Sequence, residues 1–303
     1  MHRHHDSGPK IASDFTSVLH WFDVAERDLP WRAEGVTPWQ ILMSEVMLQQ
    51  TPVVRVEPVW REWVRRWPTP ADLAAATGAD AVRAWGKLGY PRRAMRLHAC
   101  AQAIVDRFDG VVPDSVEDLL DLPGIGDYTA RAVACFAFGQ DVPVVDINVR
   151  RVLARAEAGE SDAAAPSAKR DLAAATAVLE TVPVQRRPRL SAALMELGAL
   201  VCTARSPRCE ACPIADGCAW LAAGAPEGTV APRKVQKYEG TDRQARGRLL
   251  DVLRAADGAV PRAALDVAWE RDPAQRDRAL DSLLVDGLIE QTRDGRFALA
   301  GES

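Results

Sequence analysis

The chain has 303 residues, with 38 Lys and Arg against 42 Asp and Glu, a formal net charge of −4. That length supports one large core or two domains, and the acid excess excludes nonspecific polyanion binding by the whole surface, so any nucleic-acid site must be a local basic patch. The absence of an apolar signal region or a membrane-length apolar run points to a reducing cytoplasm, where thiols stay free.

The opening MHRHH is read as a disordered end rather than a metal site. From about Asp14 to Leu221 the pattern is helix after helix, punctuated by Pro and Gly at 29–31, Pro52, 67–70, 88–91 and 122–126, with almost no strand-like alternation. An all-α fold is expected. In WQILMSEVMLQQ, Glu45 has Ile41, Leu42, Leu48 and Gln49 as its helical neighbours, a mostly apolar face. Desolvation there would let the carboxyl keep a proton near neutrality, the property of a general acid; an exposed Glu on an amphipathic helix is the plainer alternative. In Gly89-Tyr90-Pro91-Arg92-Arg93 the proline stiffens a loop whose arginines, with Arg96, carry phosphate-binding charge. Tyr90 could wedge between bases, or be a buried packing residue beside exposed arginines.

The run DLLDLPGIGDYTARAVACFAFG predicts a short helix, a turn from Leu122 through Gly124 to Gly126, and a second helix starting near Tyr128. Glycines allow a sharp turn and close approach, and the N–H groups opening the next helix favour an anion. Without a Walker lysine, a nucleic-acid backbone is the expected partner, although such turns also serve as ordinary corners between helices. Asp146 follows Val144-Val145 and precedes INVRRVLAR, which suits an N-cap whose carboxylate stays ionised and fixed in direction.

Cys202, Cys209, Cys212 and Cys218 stand as C-x6-C-x2-C-x5-C. Such close, uneven spacing suits four thiolates around one centre, and a cubane 4Fe-4S cluster leads; zinc is the alternative, although only Cys209 and Cys212 form a zinc-like knuckle. Two structural disulfides are weaker still. Arg205 and Arg208 within the loop suit phosphate contacts, while Cys100 and Cys135 read as small core residues. Beyond residues 1–221, residues 222–240 read as a Gly- and Pro-containing linker, and 241–303 as three helices followed by a hairpin turning at Asp294-Gly295, the order of a winged helix.

LPGIGDYTA, VVDINVRRVLAR and the cysteine loop together resemble the helix-hairpin-helix glycosylases of base-excision repair. SEVMLQQT at 44–51, LPWR at 29–32 and WGKLGY at 85–90 narrow the resemblance to the MutY-type adenine DNA glycosylases, over roughly residues 15–221. The resemblance implies a monomeric, nucleoid-associated enzyme of bacterial cytoplasm acting on duplex DNA with an A:8-oxoguanine or A:G mismatch. It assigns proton delivery to Glu45, stabilisation of the sugar cation to Asp146, and the base pocket to Tyr128. Bifunctional relatives resembling endonuclease III carry a lysine at that last position, so a monofunctional enzyme is expected. It also places Gln49, Gln50 and Tyr90 near the opposite base, and Trp31 and Arg32 in the pocket wall. Ala192 and Ile147 depart from the family pattern, and residues 241–303 are too few for the usual Nudix-like domain, leaving DNA contact, repair-protein contact or simple packing as roles for the tail. A thymine or uracil mismatch glycosylase of the same fold and a noncatalytic iron–sulfur DNA-binding regulator are the rival readings.

Overall fold

The computed structural model describes residues 13–228 and 238–302; the MHRHH segment and residues 229–237 of the expected linker lie outside them. Among the described residues, helices follow one another with short turns, and strand structure is limited to Ile289–Gln291 and Phe297–Leu299, paired antiparallel with Ile289 opposite Leu299. The expected all-α character holds, and the hairpin turns at Asp294-Gly295, where Gly295 takes φ +81°. Contacts divide the chain into two compact units. One joins residues up to Glu34 with Asp127–Pro232; the other joins Gly35–Gly126 with Arg233–Ser303, so the tail is grouped with residues 35–126.

In the first unit, Phe15, Val18, Leu19 and Phe22 recur at helical spacing and form one buried stripe along Thr16–Ala25. That stripe shares a core with Val149, Val152 and Leu153 of helix Ile147–Ala156 and with Leu190, Leu194 and Leu197 of helix Arg187–Leu200. Each fully buried large aliphatic or aromatic side chain contributes about 1.5–3 kcal/mol relative to exposure. Gly198 sits where that last helix meets Asn148; a Cβ there would stand 2.6 Å from the Asn148 Cβ, so the close approach depends on the missing side chain.

The second unit centres on Trp63, fully buried, with Trp67 and Trp85 edge-on at ring centroid distances of 4.7 and 5.5 Å. Helices Pro38–Leu48, Pro70–Ala75 and Gly78–Trp85 each open on a threonine capping box, with Pro at the start of the first two. The tail contributes helices Asp242–Ala255, Arg262–Ala268 and Pro273–Val285 before its hairpin. It is pinned to helix Gly78–Trp85: Arg83 pairs with Glu302 and donates to the Ala256 carbonyl at 3.0 Å, while Arg254 donates to the Val82 carbonyl at 3.1 Å.

Candidate functional site

The helix carrying Glu45 starts where the Thr37 hydroxyl accepts from the Gln40 N–H and the Gln40 side chain accepts from the Thr37 N–H. Its whole central stretch, Leu42 through Met47, is buried, and Glu45 itself is only 6% exposed. The plainer reading of an exposed glutamate therefore gives way to a carboxyl shielded from bulk water. At the far end Gln49 is half-buried, Gln50 is exposed at φ +54°, and Arg93 closes the helix. One Arg93 nitrogen donates to the carbonyls of Val46, Met47 and Gln49 at 2.7–3.0 Å, and the other donates to the Thr51 hydroxyl and the Gly89 carbonyl. Helix carbonyls left without intrahelical partners are what such a cation satisfies.

That geometry corrects one expectation. Arg93 is buried and both of its terminal nitrogens donate inside the protein, so it fixes the Glu45 helix instead of offering charge to a phosphate. Burial pulls its guanidinium down to about 10. Arg92 and Arg96 remain exposed, Arg92 with Asp286 at 3.2 Å. Tyr90 is 44% exposed in the left-handed region at φ +50°, with Arg93 5.5 Å and Arg243 4.8 Å from its ring centroid. The buried-tyrosine alternative fails here too.

In the glycine turn, Leu122 and Ile125 are buried anchors, so Leu122 can offer only backbone to a ligand, while Gly124 and Gly126 are exposed. Gly124 has φ +79°, and a Cβ there would lie 2.7 Å from the Arg96 Cβ, so both conformation and space require glycine.

The remaining site residues belong to the first unit. Tyr128 lies on the first turn of helix Asp127–Phe138 and packs against Ala132, Cys135 and Val144. Asp146 caps helix Ile147–Ala156: one carboxylate oxygen accepts from the Asn148 and Val149 N–H groups at 2.9 and 2.8 Å, the other from the Asn148 side-chain amide at 2.8 Å. The expected cap is present, but burial outweighs those hydrogen bonds and raises the carboxyl above its ordinary value. Ile147 next to it is 71% exposed, and Ala192 packs at the edge of the core. Trp31 is buried in the short turn Pro30–Arg32, and Arg32 donates to Glu196 at 3.1 Å.

Glu196 was not singled out by sequence reasoning. It is 1% exposed and accepts from Arg27 through both guanidinium and backbone, at 2.7, 2.8 and 3.0 Å. Burial pushes its carboxyl up, but the hydrogen bonds from Arg27 and the charge of Arg32 overrule this and hold it below its usual value. An acidic residue inside the apolar run SAALMELGAL is the signal that could have found it.

Two more arginines missed in the sequence tie the Asp146 helix to the cysteine loop. Arg151 donates to the Cys202 and Gly198 carbonyls, both at 2.7 Å, and to the Asn148 side chain at 2.8 Å. Arg155, buried, donates to the Ser161, Thr203 and Ala204 carbonyls and to the Cys202 sulfur at 3.5 Å, and stacks on Trp220 with its guanidinium 4.7 Å from the ring centroid. Their spacing of four places both on one helix face.

Burial pushes the Cys212 thiol up to about 11, reinforced by Cys202, Cys218 and Cys209, and Cys209 is raised likewise. Among the described residues no three potential ligands are gathered to hold a single metal ion, so fit is judged from the donor set. Four free thiols on one short loop, with the buried Arg155 guanidinium against the Cys202 sulfur, are the donors that cluster iron would deprotonate and hold. Arg205 and Arg208 are exposed on that loop, Arg208 donating to the Leu200 carbonyl. Cys100 and Cys135 are buried core residues, and burial pushes Cys100 up to about 12.

Residues 43–177 match the HhH-GPD superfamily base excision DNA repair protein family, and residues 202–218 match the iron–sulfur binding domain of endonuclease III. Helical architecture, glycine turn and cysteine loop thus define a helix-hairpin-helix DNA glycosylase with an iron–sulfur binding segment. The adenine DNA glycosylase of Mycolicibacterium smegmatis is 65% identical over 285 residues, covering 94% of this chain and 95% of that protein. That of Mycobacterium tuberculosis is 62% identical over 296 residues, 98% and 96% of the two chains. The structure of a thermostable thymine-DNA glycosylase superposes with a TM-score of 0.63 at 27% identity, over 69% of this chain and 95% of that one. The chain belongs to the adenine DNA glycosylase family within the HhH-GPD superfamily. No helix among the described residues is long and apolar enough to cross a membrane.

Proposed function

We propose that this chain removes adenine mispaired with 8-oxoguanine or guanine from duplex DNA by hydrolysing the N-glycosidic bond, without strong strand-cleaving activity. The observation that carries this reading is 65% identity, along nearly the whole chain, to a protein named adenine DNA glycosylase. Glu45 delivers a proton to the departing adenine from a position shielded from bulk water, at 6% exposure. Breaking the bond leaves positive charge on the sugar, which Asp146 faces as a carboxylate held in direction by its three hydrogen bonds. Incomplete solvation makes that carboxylate a stronger partner for a nearby cation. Water completes the reaction. Tyr128 has no amine with which to form a Schiff base, so the reaction stops at the abasic sugar. Tyr90, Gln49 and Gln50 contact the opposite strand and base, the glycine turn its backbone, and Trp31 and Arg32 support the pocket wall.

A 4Fe-4S cluster on Cys202, Cys209, Cys212 and Cys218 would fasten the loop bearing Arg205 and Arg208. Metal analysis of purified protein is expected to give about four irons per chain; one zinc without iron or sulfide would overturn that assignment. The activity is tested with duplexes carrying A:8-oxoguanine, A:G, T:G or uracil, each followed by alkali. Release of adenine alone, breakage only after alkali, and no borohydride trapping of the protein on DNA are expected. Glu45→Gln should bind mismatch DNA yet lose base release by about 10²–10⁴-fold. Release within a few-fold of wild type would remove Glu45 from this role. The likeness to a thymine-DNA glycosylase favours T:G as the second substrate class to test, and efficient release of thymine would shift the assignment there.

A further inference from the structure

Within the second unit, helix Asp242–Ala255 of the tail faces the Tyr90 loop across a groove of 1020 Å³. Nine cationic side chains and only two carboxylates line it, in a chain whose net charge is −4. Arg243, Arg246, Leu250 and Arg254 recur along one face of that helix, so its wall of the groove is a cationic stripe with an apolar break. The two carboxylates are partly committed already. Asp286 bridges Arg92 and Arg246 at 3.2 and 2.6 Å, and Asp251 lies 3.5 Å from Arg254 and 3.7 Å from Lys87. Arg96, Arg243 and Arg248 are exposed, and among the described residues none of them is in an ion pair. Arg243 lies over the exposed Tyr90 ring, so the tail supplies one side of the aromatic platform.

The third tail helix bears Asp277 and Asp281 and ends at Asp286: Asp277 pairs with Arg262 and Arg276 and Asp286 with the pair above, while Asp281 is exposed. It is the first tail helix that presents free positive charge.

We propose that this helix forms the outer wall of a binding groove for one DNA strand, with Arg243 and Arg248 on its phosphates and Tyr90 stacking on a base. Spaced cations suit a phosphate chain, and an exposed aromatic with the Gln49 and Gln50 amides beside it suits bases rather than an acidic peptide. The proposal rests on the reading of this protein as acting on duplex DNA.

The test uses the full chain and an undamaged matched duplex, so that no base release intervenes. Binding is measured across a salt series for wild type, the double variant Arg243→Ala/Arg248→Ala, the charge-keeping Arg243→Lys/Arg248→Lys, and Arg293→Ala. Arg293 is exposed on the tail but outside the groove. The alanine pair should weaken binding about tenfold and make the slope of log K against log salt shallower by about 1–2. The lysine pair should retain most of the slope, and Arg293→Ala should match wild type within about twofold. Thermal melts check that each variant is folded. An alanine pair that binds like Arg293→Ala overturns the proposal, including if an acidic protein partner is lost instead. A wild type that binds DNA through this groove but releases no adenine overturns only the proposed reaction.

Discussion

Arginine does two different jobs in the two units. In the first, Arg151, Arg155 and Arg27 are turned inward onto carbonyls, a thiol and a carboxylate, and they hold the Asp146 helix, the cysteine loop and the N-terminal turn together. In the second, Arg96, Arg243 and Arg248 stand exposed without an ion-pair partner among the described residues, while Arg93, Arg83 and Arg254 behave like the inward set. Counting cations along a sequence therefore overstates the charge available to a polyanion. What distinguishes the groups is whether the donors of each guanidinium are already engaged.

The largest expected contrast comes from truncating one arginine of each kind. Arg155→Ala leaves three carbonyls and the Cys202 sulfur without their donor and removes the stacking on Trp220, so it should lower stability by about 3 kcal/mol or more. Urea unfolding followed by circular dichroism measures this. A loss under about 1 kcal/mol would show that the inward arginines are not structural. Iron content of the same variant should fall with it.

A smaller, pH-dependent effect belongs to Glu196. Its carboxyl is held below its unfolded value of about 4.3, so its contribution is fully present above that pH and disappears as pH falls through the lowered folded value. Glu196→Gln should be less stable than wild type by about 1–2 kcal/mol at pH 7, an amount kept modest because Arg27 is 37% exposed. The gap between the two should narrow steadily below about pH 4. A gap unchanged from pH 7 to pH 3 would contradict the assigned ion pair. The smallest change is expected for the stability of Arg248→Ala, about 0.5 kcal/mol or less, because its side chain is exposed and unpaired in the described residues.

Local pattern made much of this legible beforehand. Proline and glycine punctuation marked helix ends, VVDINVRR identified the Asp146 cap, and Asp294-Gly295 located the hairpin turn, because each depends on neighbours within a few residues. The apolar helical neighbours of Glu45 were compatible with its burial but left an exposed position as the plainer alternative, because the depth of a helix face depends on what packs against it. What escaped depends on distant partners. Glu196 meets Arg27 across 169 positions, and Arg93 reaches back more than forty positions to the end of the Glu45 helix. The direction of the Asp146 displacement also escaped, since a cap's hydrogen bonds can be read from sequence while the depth of its burial cannot.

Arg93 has a consequence for genetics as well as for structure. Because one guanidinium holds both the end of the helix bearing Glu45 and the loop bearing Tyr90, its loss would disturb both of the roles proposed for those segments. A selection scored only on mutation avoidance would rank position 93 beside the residues that do the chemistry. A surface-charge map would not rank it at all. Its signature would be pleiotropy: an allele that behaves like two weak lesions at once, and that a compensating change in either segment alone would only half repair.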